Sequence, residues 1–212
     1  MKKLFFVFVV SLTALASQAQ YEKDDDGEKK GFKKENLFAG GSVTASFYSG
    51  GTVLGVSPYF GYSLNKFVDV AASVNFNYTS QRDNIVYGDK IRQTVWGPGA
   101  FVRLFPVRFL FAHAQFEHNY IRQKYLAVPN SGYQDDIYKF DANSILVGGG
   151  YCSGREGTGD IFYYFSILWD VKKDPNSPYV DGLARAVPIV KAGLQVPLFQ
   201  PSVRVNGHKR RY

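Results

Sequence analysis

An alternation of apolar and polar residues through positions 54–64 constrains the fold more than any other feature of this chain. Every second residue there is apolar, namely Leu54, Val56, Pro58, Phe60, Tyr62 and Leu64, and the residues between them are small or polar. A period of two over ten or more residues predicts a long β-strand with one apolar and one polar face. The same pattern restarts at Val68 and continues to Thr79.

The length of these alternating segments is typical of membrane-crossing strands. Strands of globular proteins are usually about five or six residues long, whereas a tilted strand needs about ten to cross a bilayer. Eight segments of this kind occur, at 37–48, 53–64, 67–79, 91–104, 108–121, 140–151, 161–171 and 187–199. After the first hairpin, short connections follow strands two, four and six, and long ones follow strands three, five and seven, as in bacterial outer-membrane barrels. Because Pro98 lacks a backbone donor, we expect a local irregularity or bulge in strand four.

The predicted fold is all-β: an eight-stranded antiparallel up-and-down transmembrane β-barrel. Strands with a lipid-facing side must close on themselves, because each unpaired amide in hydrocarbon costs several kcal/mol. A soluble barrel with an apolar interior has the same periodicity. However, the apolar stripes here end in large aromatic residues, as interfacial girdles do, and the opposite faces carry polar and charged residues that suit a wetted lumen. We therefore expect the apolar stripe at 54–64 to face lipid.

The ends of the chain predict export. Lys2 and Lys3 precede an apolar segment at 4–15 and small residues before Ala19, which predicts a signal peptide over residues 1–19. Residues 20–35 form a charged leader that we expect to be disordered, residues 36–200 form the barrel, and residues 201–212 form a basic periplasmic tail. The expected location is the outer membrane of a Gram-negative bacterium with both termini in the periplasm. Export also argues against nucleic-acid binding, despite a formal net charge of +7.

The last strand carries a pattern that supports this interpretation. Lys191, Gly193, Val196 and Leu198, followed by Phe199, form the sequence polar–x–Gly–x–x–apolar–x–apolar. With the eight strands, this pattern resembles the small OmpA/OmpX-type outer-membrane barrels, in which such a segment is read by the barrel-assembly machinery. The resemblance implies that machinery as a partner during insertion, and outer-membrane lipid and lipopolysaccharide as surroundings. In the family the segment usually ends the chain, whereas thirteen residues follow Phe199 here, so the role of the tail stays open.

Six titratable residues with inward parity form a predicted lumen charge network. They are Asp69, Arg103, His113, Glu117, Asp170 and Lys191. The interior of an eight-stranded barrel is just wide enough for side chains to fill, so we expect a polar plug in which buried charges are paired. The predicted pairs are Asp69 with Arg103 at one rim and Asp170 with Lys191 at the other. His113 and Glu117, about 13 Å apart on one strand, are not expected to touch.

The leading functional prediction is a non-enzymatic outer-membrane protein. It would act in envelope structure, through its three long external loops, or as the companion subunit of an envelope protein partner. The alternatives are a narrow channel for small solutes and a lipid A-modifying enzyme with His113 as general base. The enzyme is disfavoured because His113 lies mid-strand, and because His118 has outward parity with no obvious serine nearby. No cofactor or metal is expected, since the three histidines and scattered carboxylates lack metal-ligand spacing.

Overall fold

The computed structural model describes residues 32–48, 51–83, 85–155, 157, 160–181, 183–199, 204–205 and 208–209. The predicted signal peptide, most of the leader and most of the tail lie outside these residues. Within the tail, β9 (Arg204–Val205) pairs antiparallel with β10 (His208–Lys209). A single 3-10 turn at Lys34–Asn36 precedes the first strand. Among the residues described, no helix has the length and apolar content needed to cross a membrane.

Eight antiparallel strands close into one barrel in chain order, which confirms the predicted fold class. The strands are β1 (Leu37–Tyr48), β2 (Gly51–Asn65), β3 (Val68–Arg82), β4 (Lys90–Val107), β5 (Leu110–Leu126), β6 (Asp136–Cys152), β7 (Phe162–Asp170) and β8 (Ile189–Pro197). Each strand pairs with its neighbours in sequence, and β8 closes the ring by pairing with β1. Closure leaves no unpaired sheet edge, as hydrocarbon requires.

The pairing register passes through Pro98 without a shift. The β3–β4 ladder includes Pro98, and β4 pairs with β5 in the same register on both sides of Gly97 and Pro98. The local irregularity expected at Pro98 is therefore present as a gap in pairing with β5 at residues 97 and 98, and it is not a bulge. The register shifts instead between Ser63 and Asn65, and between residues 104 and 107, where the chain enters its tight turns.

The connections define two ends of the barrel. The β2–β3, β4–β5 and β6–β7 connections (66–67, 108–109 and 153–161) leave the barrel at the turn end, and the β3–β4, β5–β6 and β7–β8 connections (83–89, 127–135 and 171–188) leave it at the loop end. The first strand starts, and the last strand ends, at the turn end. The predicted alternation of short and long connections fails once, because segment 153–161 is as long as the loop at 127–135.

The outer face of the barrel is an apolar band. The predicted lipid-facing side chains Leu54, Val56, Phe60 and Leu64 are about half exposed, at 53%, 51%, 52% and 55%, whereas the alternating Ser57 and Ser63 are buried. On β5 the outward positions from Leu110 to Tyr120, apolar except for His118, span ten residue steps. At about 3.3 Å per residue and a tilt of about 40°, this band is about 25 Å tall, as in outer-membrane barrels.

Aromatic side chains edge this band at both ends. At the loop end, the rings of Trp96 and Tyr120 stack with centroids 4.8 Å apart. At the turn end, Phe109 and Tyr151 lie 6.3 Å apart. Such girdles sit at the two lipid–water interfaces. Together with the apolar band, they give the barrel the exterior of a membrane-spanning protein.

Candidate functional site

The half of the lumen nearest the turn end is an aromatic core. Its buried rings belong to Phe38, Tyr59, Phe101, Phe105, Phe111, Phe162 and Tyr164. Glycines in β1 and β8 make room for two of them, because a Cβ on Gly40 would overlap Tyr59 and a Cβ on Gly193 would overlap Tyr164. The expectation of a wetted polar lumen is wrong for this half, where the inward parity positions of several strands carry large rings.

Arg103 lies fully buried among these rings. Its guanidinium carbon is 4.0 Å from the Tyr164 ring centroid, and three further ring centroids lie within 5.3 Å. Its Nε donates to His113 Nδ1 and its Nη1 to Gln195 Oε1, each over 3.2 Å. The predicted ion pair with Asp69 is wrong, although the two residues face each other across the β3–β4 ladder. The aromatic faces and neutral acceptors hold this cation instead.

Asp69 pairs with Arg155, a residue that the sequence interpretation missed. Arg155 reaches in from segment 153–161 and places Nη2 2.7 Å from Asp69 Oδ1, with both side chains buried. It also donates to the Asn65 carbonyl, while Gln195 Nε2 donates to the second Asp69 oxygen over 3.1 Å. Burial lowers the pKa of Arg155 and the adjacent Asp69 carboxylate opposes that shift. Arg155 therefore closes the lumen at the turn end. Because Arg155 lies in a connection and not in a strand, the alternating pattern of the sequence could not identify it.

Lys191 forms the ion pair in the other half of the lumen. Its Nζ lies 3.4 Å from Glu117 Oε1 and 3.1 Å from Gln115 Oε1, and the Lys191 and Glu117 side chains are both buried. The predicted pair of Lys191 with Asp170 is wrong. Asp170 instead accepts from Ser177 Oγ over 2.6 Å and from backbone amides at the start of loop 171–188. Its role is to fix the base of that loop.

Tyr179 anchors loop 171–188 inside the barrel. The side chain is 1% exposed and packs in a cluster with Leu146, Leu168 and Ile189. Its hydroxyl donates to Glu117 Oε2 and accepts from Asn77 Nδ2, both over 2.7 Å. Burial, and then the Glu117 carboxylate, raise the pKa of Tyr179 well above its ordinary value, so it stays a neutral donor. Sequence periodicity cannot identify such a loop residue, since it belongs to no strand.

The lumen contacts join into one path between the two ends of the barrel. In order, the path runs Arg155, Asp69, Gln195, Arg103, His113, Gln115, Lys191, Glu117 and Tyr179. All six predicted network residues are buried, and His113 reaches Glu117 only through Gln115 and Lys191. A cavity of about 10 Å³ lies between the two halves, which is about the space of one water molecule. These buried side chains fill the bore around His113, which is 3% exposed.

The loop end is ordered by buried polar contacts and displays exposed tyrosines. Asp89 is fully buried and accepts from the Ile85 amide over 2.7 Å and the Tyr125 hydroxyl over 3.2 Å. Tyr87 and Tyr133 are 89% and 52% exposed. Within the described ranges, no three His, Cys, Asp or Glu side chains are grouped to hold a metal ion.

The residues of the predicted assembly signal lie on or just after the strand that closes the barrel. Lys191 points into the lumen and Gly193 accommodates the Tyr164 ring. Leu198 and Phe199 follow the end of β8 and are each 46% exposed. Their role in recognition by the assembly machinery stays a prediction.

Comparison with known proteins gives structural similarity only. No protein-family model matches the sequence, and no curated protein matches it. Among solved structures, the attachment invasion locus protein Ail of Yersinia pestis shares 10% identity at a TM-score of 0.43, covering 75% of this chain and 93% of Ail. The N-terminal barrel domain of Pseudomonas aeruginosa OprF and Neisserial surface protein A each share 14% identity, with TM-scores of 0.39 and 0.38, covering 76% of this chain and 96% of theirs. Eight antiparallel strands closed in a ring confirm the resemblance to small outer-membrane barrels.

Proposed function

We propose that this protein is a non-enzymatic integral barrel of a Gram-negative outer membrane, with a sealed lumen and both termini in the periplasm. It acts at its loop end, in envelope structure or as the companion subunit of an envelope protein complex. The observation that carries this proposal is the continuous path of buried side chains from Arg155 to Tyr179, with a cavity of about 10 Å³ beside its middle. With the interior closed, the surfaces left for function are the rims and the outer wall.

Conductance measurements test whether the lumen is sealed. The full chain, folded into planar bilayers, is expected to give no stepwise currents, because the aromatic core and the Lys191–Glu117 pair fill the bore. A general porin in the same lipid serves as the control for insertion and detection. Stable stepwise currents from the native protein would establish the narrow channel and refute the sealed lumen.

Surface labelling tests the orientation. A cysteine at Tyr87, which is 89% exposed at the loop end, should react with a membrane-impermeant maleimide in intact cells. A cysteine at Lys66, in the turn between β2 and β3, should react only after the outer membrane is opened. Both are made on a Cys152→Ser background to remove the native thiol. The reverse labelling pattern would contradict the proposed placement of the termini.

The environment of the two barrel histidines supports a non-enzymatic role. His113 is 3% exposed and bonded on both ring nitrogens, to Arg103 and Gln115. His118 faces outward, where its Nδ1 lies 2.8 Å from Asn143 Oδ1. Lipid A mass spectrometry with and without the protein should therefore give the same profile, and a new modified species would establish the enzyme.

A further inference from the structure

We propose that the small cavity in the middle of the lumen binds one monatomic anion, a halide such as chloride. The cavity lies where the aromatic core meets the half of the lumen that holds Lys191. Among the described residues that line it there are two cationic side chains, Arg103 and Lys191, and no carboxylate. Buried charges in proteins are paired or hydrogen-bonded, because an uncompensated charge away from water is costly. An anion beside these two cations supplies the missing negative charge.

Protein groups balance only part of the charge on the two cations. Arg103 donates to two neutral acceptors, His113 and Gln195, and it forms no ion pair within the part of the chain that the structure describes. Lys191 has one carboxylate partner, Glu117, at 3.4 Å. Two cations are therefore matched by one carboxylate in this stretch of the bore.

Hydrogen-bond donors around the cavity outnumber the bonds that they make. Ser57 Oγ is buried and has no hydrogen-bond partner among the described residues. Ser73 Oγ accepts from Gln115 Nε2 over 3.3 Å, a bond that does not use the hydroxyl hydrogen of Ser73. Lys191 Nζ carries three hydrogens and donates to two acceptors, Gln115 and Glu117. Two hydroxyl hydrogens and one ammonium hydrogen are therefore available to a ligand.

The neutral side chains of the lining have no acceptor to offer in return. Gln115 Oε1 accepts from Lys191 Nζ and lies 3.1 Å from His113 Nε2, while Gln115 Nε2 donates to two side chains of β3. His113 Nδ1 accepts from Arg103 Nε, which places the ring hydrogen of His113 on Nε2, where it is donated to Gln115. Surplus donors and occupied acceptors favour an anion and disfavour a cation.

The size of the cavity selects among anions. Its volume of about 10 Å³ is about the space of one water molecule. Phosphate, sulfate and carboxylates contain several heavy atoms and are too large, whereas a halide is a single atom only slightly larger than water. Water is the competing occupant, but a neutral molecule leaves the charge of Arg103 and Lys191 unchanged. Size and charge together therefore point to a halide.

Refolding with bromide tests the site in the full-length protein. Refolding from urea lets the ion enter before the barrel closes around the cavity. Crystals of the bromide-refolded protein should show an anomalous-scattering peak inside the lumen, in contact with Ser57 Oγ and Lys191 Nζ. Peaks confined to the protein surface would show an adventitious ion only and would contradict the proposal.

The chloride dependence of stability tests the site in solution. At constant ionic strength, with gluconate replacing chloride, the urea midpoint of the native protein should rise with chloride concentration, because a ligand bound by the folded state stabilises it by mass action. The variant S57A/S73A should bind chloride at least on the order of tenfold more weakly, because it loses two hydrogen bonds to a charged ligand. Thr79→Val is the matched control, since Thr79 Oγ1 is also buried without a partner among the described residues but lies off the cavity lining. This control should keep the native chloride dependence.

Three outcomes would overturn the halide site. They are a native midpoint that does not respond to chloride, an equal response in S57A/S73A, and density in the cavity of bromide-refolded crystals without an anomalous signal, which would identify water. Each variant is first shown to refold as a heat-modifiable barrel, so loss of the response is not confused with loss of the fold. The role proposed at the loop end does not depend on these results.

Discussion

The ion pair between Lys191 and Glu117 gives the sharpest test of the lumen structure. Its Nζ–Oε1 distance is 3.4 Å, and the two side chains are 4% and 0% exposed. Removing one partner of a buried pair leaves an uncompensated charge, which costs about 3–5 kcal/mol. We therefore expect Lys191→Met and Glu117→Gln each to lower the free energy of unfolding by about that amount.

The double variant carries the decisive information. In K191M/E117Q neither partner of the pair is left as an uncompensated charge, so the loss should be at least about 2 kcal/mol smaller than the sum of the two single losses. An exposed pair of similar length is the control: Lys172 lies 3.1 Å from Asp174, with side chains 38% and 22% exposed. Lys172→Met should cost less than about 1 kcal/mol.

Urea unfolding in phospholipid vesicles, followed by tryptophan fluorescence, measures these free energies. Trp96 and Trp169 both face outward and report on loss of the lipid-facing wall. Additive losses in the double variant, or single losses as small as that of Lys172→Met, would refute the argument. Either result would mean that the pair is hydrated in the folded protein and that the lumen is not sealed.

Three further predictions follow from single positions. Gly193→Ala should destabilise the barrel by about 1–3 kcal/mol in the same unfolding assay, because its Cβ would lie 2.5 Å from the Tyr164 ring; an unchanged midpoint would show that β8 can shift. Tyr179→Phe removes a donor to the Glu117 carboxylate and should cost about 2 kcal/mol, with faster proteolysis of loop 171–188; protection equal to native would contradict the anchor. Hydrogen bonds from the Arg185 backbone and side chain lower the pKa of Asp181. Asp181 therefore stabilises its loop above about pH 4, its unfolded-state pKa, and that contribution is lost as pH falls through the lowered folded value. Proteolysis rates of the loop, compared with those of Asp181→Asn across this range, measure the effect.

The outside of the barrel was predictable from sequence and much of the inside was not. Side-chain parity is a local property of a strand, so the alternation at 54–64 correctly assigned lipid-facing and lumen-facing residues before any pairing was known. Strand ends were less well defined. The alternation predicts strand six over 140–151, whereas β6 extends over Asp136–Cys152 because its start pairs with the end of β5. Where a strand extends beyond the membrane, its outward residues can be polar. The apolar–polar alternation then stops before the strand does, and the sequence pattern does not mark the strand end.

The choice of partners inside the lumen depends on information that parity does not contain. Asp69 and Arg103 are neighbours in register, as predicted, yet Asp69 pairs with Arg155. Large rings at inward positions surround the Arg103 guanidinium, and Arg155 from segment 153–161 donates to the Asp69 carboxylate in its place. A loop residue carries no periodicity, so sequence reasoning restricted to strands overlooks it.

Closure of the ring explains the second misassigned pair. Lys191 on β8 lies far from Glu117 on β5 in both sequence and strand order, and the two meet because side chains from opposite walls of a narrow bore converge at its centre. Asp170 lies on the neighbouring strand β7, but the register places Lys191 opposite Ser166, four residues away. The Asp170 carboxylate instead accepts from Ser177 and from backbone amides of loop 171–188. In an eight-stranded barrel, a charged lumen residue is therefore as able to pair across the bore as along the wall. The choice of partner matters for stability, since removal of Lys191 leaves the buried Glu117 carboxylate without its cation at a cost of several kcal/mol.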